Sequence, residues 1–349
     1  MDGISVKDLK IMLAQIQKLS INNSIKGSRI FISGATGFFG KWLMEYFLYL
    51  NKELNSDIKI CALSRDPEKF LDLYKFFKNI KCITWVKGDI RTYKFPLQQF
   101  DYLIHAAADA DAKLNAEDPL LMLDTIIEGT KRIMEFAKTQ SEIKGILFTS
   151  SGAVYGRQPE NITHIREKDC FYLDINNPRS AYAEGKRVAE LYCSTYVKTY
   201  NLPIKIARCF AFVGPYLPLD KHFAIGNFIA DVLSKQDIII KGDGTPLRSY
   251  MYASDLITWL LTILVKGEVN TPYNVGSDRA ISISDLALLI NSLQSHPKKV
   301  KIYGHKNEQP LEQYVPDITK CRENLNLELT ISLEESITRT ILFHKQNSL

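Results

Sequence analysis

The stretch Gly34-Ala35-Thr36-Gly37-Phe38-Phe39-Gly40 decides the fold, because it joins a short apolar run to an amphipathic helix. The run before it, Arg29-Ile30-Phe31-Ile32-Ser33, predicts a buried strand, and the pattern after it predicts a helix that begins near Phe38. Glycines let the chain turn tightly here, and free backbone N–H groups at the helix start can hold a pyrophosphate. The stretch therefore predicts a dinucleotide-binding turn. Its candidate cofactor contacts are Gly34, Thr36, Gly37, Phe38, Phe39 and Gly40.

The composition restricts the class of ligand. The chain has 349 residues and is 46% hydrophobic, which is ample for one large domain with a smaller lobe. Its 44 basic and 39 acidic residues are spread along the chain, without an arginine-rich arm or a lysine block. A net charge of +5 in this distribution suits an anionic small substrate, and we expect no nucleic-acid partner.

The cysteine pattern and the longest apolar runs indicate the compartment. Six cysteines without a Cys-x-x-Cys spacing lie mostly inside apolar segments, which is typical of reduced, buried thiols. We therefore expect a cytoplasmic protein without a metal site. No signal peptide is visible, and no apolar run reaches the roughly 20 residues that a membrane span requires. A membrane role is not expected.

Strand and helix patterns alternate as far as residue 210. This alternation predicts an α/β fold, a Rossmann-type doubly wound parallel sheet with helices on both faces. The predicted strands are 29–33, 58–63, 82–86, 102–105, 146–150 and 203–210. We expect an N-terminal helical extension over 1–28, whose helix follows a Ser5-x-x-Asp8 capping box and braces the fold, and a dinucleotide-binding domain over 29–210. Residues 211–349 are expected to form mainly a smaller substrate-binding lobe, with some segments that return to the Rossmann domain.

The end of the second predicted strand lies where a side chain contacts the adenosine ribose of the cofactor. Arg65 stands there and can pair with a 2′-phosphate and stack on adenine, which favours NADP. Its neighbour Asp66 could instead serve NAD. After the third strand, Asp89 and Ile90 are placed near the adenine, although a plain turn would also explain them.

The fourth predicted strand ends in His105-Ala106-Ala107. Small residues at this point allow a flat cofactor to approach the backbone closely, so all three are candidate cofactor contacts. We expect His105 itself to be a structural hydrogen-bonding residue and not a base.

Three residues have the chemistry of a hydroxyl oxidation. Tyr182 and Lys186 are four residues apart in a predicted helix over 180–200, so both side chains lie on one face. A phenol with a pKa of about 10 is a poor base unless a cation favours the phenolate, which Lys186 and an oxidised nicotinamide would do. Ser151 ends a predicted strand and can hold the substrate hydroxyl or carbonyl against Tyr182. We predict that Ser151, Tyr182 and Lys186 are catalytic, and that Tyr182 and Lys186 also contact the cofactor.

In these motifs the chain resembles the extended short-chain dehydrogenases/reductases of the nucleotide-sugar epimerase and dehydratase family. The resemblance runs from about residue 29 to the end, and the matching segments are 34–40, 105–107, 150–156, 180–186 and 242–250. It implies hydride transfer from C4 of a hexose on a nucleoside diphosphate, with a transient 4-keto intermediate. Tyr182 would remove the hydroxyl proton, Ser151 would hold the same oxygen, and Lys186 would bind the nicotinamide ribose.

The resemblance also implies contacts with the substrate and with a second subunit. Arg248 matches a position that pairs with the sugar-nucleotide pyrophosphate, and Asn227 matches one that touches phosphate and base. A homodimer through the helices predicted at 117–139 and 180–200 is implied as well. Cell-surface polysaccharide biosynthesis is the pathway context that the resemblance suggests.

Several positions depart from the family pattern and narrow the reaction. Gly152-Ala153 follows Ser151, where enzymes that dehydrate C4 and C6 usually have an acidic pair or Asp-Lys. UDP-glucuronate decarboxylases usually have a glutamate at the position of Ala153. Both reactions are therefore disfavoured. Ala211 and the pair 126–127 stand where the family often has asparagine.

Epimerisation at C4 and NADPH-dependent reduction of a 4-keto sugar require the same three catalytic residues. The strand end Ser150-Ser151-Gly152-Ala153-Val154-Tyr155-Gly156 resembles epimerases most, so we expect a nucleotide-sugar epimerase. Arg65 supports the reductase as the alternative, because a reductase must exchange its nucleotide in each turnover. A dehydratase, a decarboxylase and a non-catalytic dinucleotide-binding protein are lesser alternatives.

Overall fold

The computed structural model of the chain describes residues 3–107, 112–221, 223–305 and 311–347. The strands are β1 (Arg29–Ser33), β2 (Lys59–Ser64), β3 (Ile83–Lys87), β4 (Tyr102–His105), β5 (Gly145–Ser151), β6 (Ile204–Cys209), β7 (Phe212–Val213), β8 (Ile238–Ile240), β9 (Leu247–Arg248), β10 (Met251–Tyr252), β11 (Pro272–Val275), β12 (Ile281–Ser282), β13 (Val300–Ile302) and β14 (Gln313–Tyr314). The helices are α1 (Val6–Lys18), α2 (Asn22–Ile25), α3 (Phe38–Leu54), α4 (Pro67–Leu73), α5 (Ala112–Glu117), α6 (Pro119–Lys138), α7 (Ala181–Tyr200), α8 (Ala224–Leu233), α9 (Ala253–Lys266), α10 (Ile283–Ser292), α11 (Thr319–Leu325) and α12 (Leu333–Asn347).

Seven strands form one parallel sheet in the order β11-β6-β5-β4-β1-β2-β3. From β1 the chain first adds β2 and β3 on one side and then continues with β4, β5 and β6 on the other. A reversal of this kind opens a crevice at the carboxyl ends of the strands, where dinucleotides bind. The predicted Rossmann-type α/β fold is confirmed.

Both faces of the sheet are covered by helices, because successive side chains of a strand point to opposite faces. On one face Ile30 and Ile32 belong to a core shared with α3 and α9. On the other face Phe31 packs with α6 and α7, and its ring lies 5.2 Å from that of Phe136. Burial on both faces explains why the strands read as continuous apolar runs.

The six predicted strands agree with the observed ones to within one residue at each end. A seventh strand, β11, was missed, since it comes from the C-terminal half and pairs with β6 at Pro272↔Ile206. The helix predicted from Glu117 begins at Pro119 instead. Asp118 caps it by accepting from the Leu121 N–H at 3.0 Å, and a proline in the first helical turn needs no N–H partner.

The N-terminal helix α1 is joined to the rest of the fold by Asp8. Ser5 caps the helix by accepting from the Asp8 N–H, and the Asp8 side chain is buried. The Tyr252 hydroxyl donates to Asp8 Oδ2 at 2.9 Å, and Arg339 of α12 forms an ion pair with the same carboxylate. These contacts connect α1 to β10 and α12.

A second core lies outside the central sheet, in a region that we call the C-terminal lobe: β8, β9, β12, β13, β14, α8 and α10. The strands β12, β9 and β14 form a small sheet, and β13 pairs with β8. Side chains of α8 and α10 fill its core, among them Ile225, Ile229, Leu286 and Ile290. The parallel pairing of β14 with β9 places Tyr314 opposite Arg248.

Among the described helices, none combines the length and the apolar composition that a membrane span requires. The six cysteines are free thiols, and four of them, Cys61, Cys193, Cys209 and Cys321, are buried. Burial raises the pKa of the Cys61 thiol, which keeps it protonated.

Candidate active site

The glycine turn between β1 and α3 requires glycine for two separate reasons. Gly34 has φ +75°, and a Cβ there would lie 2.4 Å from the Ala106 carbonyl oxygen. Gly40 lies in the first turn of α3, and a Cβ there would lie 2.3 Å from the Ala35 carbonyl oxygen. A side chain at Gly34 would therefore push the turn away from the end of β4, and a side chain at Gly40 would separate α3 from the turn.

The backbone N–H groups in the first turn of α3 can bind an anion, and the phenylalanine side chains of this turn are packed against the protein. Gly37 is the N-cap, and no side chain of the described residues caps the helix. The Phe39 ring meets Phe212 edge-on at 5.4 Å, and Phe38 packs against the core of the C-terminal lobe. Thr36 lies half-buried in the turn itself. The backbone N–H groups of this turn therefore form a suitable cradle for a pyrophosphate.

At the adenosine end of the crevice, the side chains of Arg65 and Asp66 have different surroundings. Arg65 is exposed at the end of β2, whereas the Asp66 carboxylate accepts from the Lys69 N–H at 3.1 Å and caps α4. Asp89 forms a two-point pair with Arg91, with distances of 2.9 and 3.0 Å. The Arg91 hydrogen bonds lower the pKa of Asp89, and the charge of Arg65 adds to this effect. Two guanidinium groups therefore lie at this edge.

Ile90 follows in the same turn, but its side chain faces the protein core. It is buried, and a Cβ on Gly129 of α6 would lie 3.1 Å from its side-chain carbons. Only the Ile90 backbone is therefore available to a cofactor.

Both ring nitrogens of His105 form hydrogen bonds within the protein. Its Nδ1 lies 2.8 Å from the Ser33 hydroxyl and its Nε2 lies 3.2 Å from the Thr130 hydroxyl. Since Thr130 donates its only hydrogen to the Ile126 carbonyl, Nε2 carries the proton and Nδ1 accepts from Ser33. Burial lowers the pKa of His105 to about 3, so the ring is neutral. Ala106 and Ala107 continue from it, half-buried beside the glycine turn.

Lys186 is buried beside the end of β5. Its Nζ donates to the Thr149 carbonyl at 2.7 Å and lies 6.0 Å from the centre of the Tyr182 ring. Burial lowers the pKa of Lys186 to about 8. Tyr182 is half-buried on the same face of α7. The structure therefore brings the predicted pair together, with the cation below the phenol.

The position of α7 depends on a contact that the sequence did not indicate. The Tyr182 N–H donates to Asn115 Oδ1 at 3.0 Å, and Asn115 Nδ2 donates to the Arg179 carbonyl at 2.7 Å. The Asn115 side chain on α5 thus binds a backbone N–H and a backbone carbonyl at the start of α7. Gly185 lets α7 approach α6, because a Cβ there would lie 3.3 Å from Ile126.

The two serines at the end of β5 have different surroundings. The Ser150 hydroxyl donates to Glu190, which forms a half-buried ion pair with Arg208 at 2.7 Å. Ser151 Oγ accepts from the Ala153 N–H at 3.1 Å. Ser150 is therefore bound to the Glu190–Arg208 ion pair, whereas Ser151 is not.

The sequence matches the model of a known protein family. The model of the NAD dependent epimerase/dehydratase family matches residues 30–276, which is most of the chain. The chain belongs to this family. Its members are enzymes of the oxidoreductase type, and the predicted family, enzyme class and nicotinamide dependence are confirmed.

The names of two relatives indicate that they act on a UDP-sugar. UDP-glucuronic acid decarboxylase 1 of Xenopus tropicalis is 27% identical over 91% of this chain and 72% of its own length. UDP-glucuronic acid decarboxylase 5 of Arabidopsis thaliana is 28% identical over 88% of this chain and 87% of its own.

Solved structures share the fold. The UDP-glucose 4-epimerase of Thermotoga maritima superposes with a TM-score of 0.78 and 21% identity, covering 92% of this chain and 100% of its own. The UDP-glucuronic acid 4-epimerase of Bacillus cereus was solved with UDP-glucuronic acid and NAD. It superposes with a TM-score of 0.77 and 22% identity, covering 91% of this chain and 99% of its own. The similar proteins thus include both epimerases and decarboxylases, so similarity alone does not distinguish the two reactions.

The two residues that were predicted to contact the substrate, Arg248 and Asn227, lie in the C-terminal lobe. Arg248 lies on β9, where it donates to the Leu247 carbonyl at 2.9 Å and pairs with Glu312. Asn227 lies half-buried on α8, and its neighbour Phe228 is part of the lobe core. The two predicted substrate residues are therefore in the lobe, while Ser151, Tyr182 and Lys186 are at the sheet.

Proposed function

We propose that the protein is a nucleotide-sugar epimerase that acts at C4 of a hexose on UDP, through a transient 4-keto sugar. The observation that carries the proposal is the arrangement of Lys186 beneath Tyr182 on α7, with Ser151 at the neighbouring strand end. UDP is proposed because the relatives and structural neighbours named above act on UDP-sugars.

In this mechanism each residue handles one proton or one oxygen. The Lys186 ammonium, near the Tyr182 ring, favours the phenolate, which takes the proton from the C4 hydroxyl. Ser151 donates to the same oxygen and holds it in place. A bound nicotinamide supplies the hydride acceptor for C4. Return of the hydride to the other face of the keto sugar, with the proton from Tyr182, inverts the centre.

The residues present fit a nicotinamide dinucleotide. The glycine turn leaves room for backbone approach at Gly34, and the uncapped N-terminus of α3 faces the crevice. Lys186 donates one hydrogen to Thr149 and keeps two for a ribose hydroxyl. We infer a preference for NADP, supported by exposed Arg65 and by the helix-capping role of Asp66.

A second reaction is supported by the relatives, namely decarboxylation of UDP-glucuronic acid. Once C4 is a ketone, the C6 carboxylate lies β to it and can leave as carbon dioxide, with the electron pair passing to C5 and O4. The names of the relatives favour this reaction. Ala153 argues against it, because the residue two positions after Ser151 has no carboxyl group.

A product assay separates these reactions. The purified protein would be incubated with UDP-glucose, UDP-galactose, UDP-N-acetylglucosamine, UDP-glucuronic acid and a UDP-4-keto sugar, with and without NADPH. A product of unchanged mass and shifted retention, formed without added cofactor, is expected. Loss of carbon dioxide from UDP-glucuronic acid would replace the epimerase by a decarboxylase. Gain of hydrogen on the keto sugar that requires NADPH would establish the reductase.

We infer that the protein forms a homodimer through α6 and α7. These helices carry exposed apolar side chains, Leu120, Val188 and Leu191, of which Leu191 is 66% exposed. Exposed apolar patches on helices are typical of subunit contacts. Sedimentation velocity would give a dimer mass, and Leu191→Glu would shift it to that of a monomer.

A further inference from the structure

Three side chains of alternating charge connect α7 to β6 beside the proposed catalytic residues. Glu190 follows Lys186 by four residues on α7, so the two side chains lie on one face of the helix. Arg208 lies on β6, opposite Ser150 of β5. Glu190 thus lies close to two cations, with Arg208 in direct contact and Lys186 one helical turn away.

Arg208 binds both carboxylate oxygens of Glu190. Its Nη2 donates to Oε2 at 2.7 Å, and its Nε donates to Oε1 at 3.0 Å. The Ser150 hydroxyl also donates to Oε1, at 2.5 Å. A two-point pair holds a carboxylate in one orientation, which a single lysine nitrogen does not do. The Glu190 carboxylate is therefore turned toward β5 and β6.

Arg208 has further contacts of its own. Its Nη1 donates to the Glu167 carbonyl at 2.9 Å, and its guanidinium lies 4.7 Å from the centre of the Tyr155 ring. The Glu167 carboxylate accepts from the Asn274 N–H at 2.9 Å. Arg208 is therefore anchored by contacts that do not depend on Glu190.

Glu190 is a carboxylate close enough to act on Lys186. Burial lowers the pKa of Lys186 to about 8, and the charge of Glu190 opposes this shift. His105, Cys193 and Cys209 also lie near Lys186, but burial lowers the pKa of His105 to about 3 and raises the pKa of both thiols. These three groups are therefore neutral at pH 7, and the effect of the Lys186 charge on its surroundings depends on where the Glu190 carboxylate points.

We propose that Arg208 is a positioning residue, which holds the Glu190 carboxylate away from Lys186 and so leaves the Lys186 ammonium to act on Tyr182. This inference rests on the proposed role of Tyr182 as the base. Lys186 donates to the Thr149 carbonyl at 2.7 Å, which agrees with this role. Without Arg208, the carboxylate can turn to Lys186. The resulting pair has no net charge, so it favours the Tyr182 phenolate less.

Arg208→Met tests this role, because it keeps an apolar stem beside Tyr155 and removes the guanidinium. The protein would be saturated with NAD or NADP, whichever binds more tightly, and the phenolate of Tyr182 titrated by its ultraviolet absorbance, with Tyr182→Phe in the same background as the blank. We expect the midpoint to rise by about one pH unit. kcat/KM for the UDP-sugar should fall about tenfold below this midpoint and equal that of the wild type above it. A loss caused by destabilised structure would not recover as the pH rises.

Two further variants show whether Arg208 acts through Glu190. Arg208→Met combined with Glu190→Gln leaves no carboxylate to pair with Lys186 and no unpaired charge, so the wild-type midpoint is expected. Arg208→Lys keeps the charge but holds a single oxygen, so a smaller rise is expected, and this variant decides the question where Arg208→Met does not fold. An equal rise in Arg208→Met and in the double variant would overturn the inference, because Arg208 would then act by its own charge.

Lys205→Gln is the matched control. Lys205 is a buried cation on the same strand, and its Nζ donates to the Lys144 carbonyl at 3.4 Å. Removal of this cation should lower the stability and leave the midpoint and the pH dependence of turnover unchanged. Thermal unfolding of all variants would measure the stability.

The outcomes separate this inference from the proposed function. If the wild type turns over none of the UDP-sugars in the product assay, the proposed function fails, whereas the titration, which needs no substrate, still decides whether Arg208 controls the charge that acts on Tyr182. If the wild type is active and neither Arg208→Met nor Arg208→Lys moves the midpoint, only the inference is overturned.

Discussion

The glycine turn between β1 and α3 and the small sheet of the C-terminal lobe position functional groups in different ways. The turn does so locally: Gly34 and Gly40 are required by carbonyl groups that a Cβ would strike. The small sheet joins strands of two residues each, so Arg248 and Tyr314 meet only after residues far apart in the chain have paired. The groups proposed for hydride chemistry thus lie in local motifs, whereas the proposed substrate contacts depend on long-range packing.

The largest loss of activity is expected for a change at Tyr182, which belongs to the local motif on α7. Tyr182→Phe removes the only proposed proton acceptor and should lower kcat by about a thousandfold, in the range for loss of a general base. The cofactor should stay bound, because Lys186 and the glycine turn are untouched. Turnover of UDP-sugars and fluorescence titration with NADPH would measure the two quantities. Full activity in this variant would remove Tyr182 from the mechanism.

Tyr196→Phe is the control for this change. Tyr196 lies on the same helix, but its hydroxyl bonds to Glu135 on α6. This variant should keep its turnover.

The next effect concerns the glycine turn itself. Gly34→Ala should lower the free energy of unfolding by about 3 kcal/mol, because it combines a left-handed backbone with a clash against the Ala106 carbonyl. Urea unfolding would measure the change. Cofactor affinity should fall as well, since relief of the clash moves the turn away from β4.

Gly27 provides a matched control for the backbone conformation. It has φ +70°, close to the +75° of Gly34, but nothing lies within 4 Å of its Cβ position. Gly27→Ala should therefore cost only the strain of the left-handed conformation, about 1 kcal/mol. Equal losses in the two variants would mean that the approach of Ala106 does not constrain the turn.

A smaller effect is expected at the adenosine end. Arg65→Ser removes an exposed guanidinium and should weaken NADP binding about tenfold while leaving NAD binding unchanged. Fluorescence titration with the two reduced nucleotides would measure both affinities. Lys78→Ser, which removes a positive charge that pairs at 3.8 Å with Asp72, should change neither affinity. Parallel losses for NAD and NADP in Arg65→Ser would contradict a 2′-phosphate contact.

The same contrast explains what the sequence predicted. Strand bounds, the glycine turn and the Tyr182–Lys186 pair follow from periodicity and spacing, which act over a few residues. Asn115 could not be predicted, because a cap supplied by another helix leaves no pattern next to Tyr182. The position of Tyr314 could not be predicted either, since β14 has only two residues and pairs with β9, which is more than 60 positions away in the chain. The ion pair of Arg248 with Glu312 is missing from the sequence pattern for the same reason.

The smallest expected effect lies at that ion pair. Arg248 is the proposed contact for the pyrophosphate, and Glu312 holds its guanidinium while the side chain of Glu312 is 57% exposed. A pyrophosphate must displace this carboxylate, and exposed ion pairs are worth up to about 1 kcal/mol. Glu312→Gln removes the competing charge and keeps a polar group, so KM for the UDP-sugar should fall about threefold with kcat unchanged.

The control for Glu312→Gln is Asp237→Asn, which removes a carboxylate from the same lobe. Asp237 pairs with Lys301 at 2.8 Å across β8 and β13. This change should leave KM unchanged, because no substrate contact is proposed there. A rise of KM in Glu312→Gln would mean that Glu312 orients Arg248 for the pyrophosphate and does not compete with it. The ion pair would then belong to the binding site, and substrate affinity would depend on the pairing of β14 with β9.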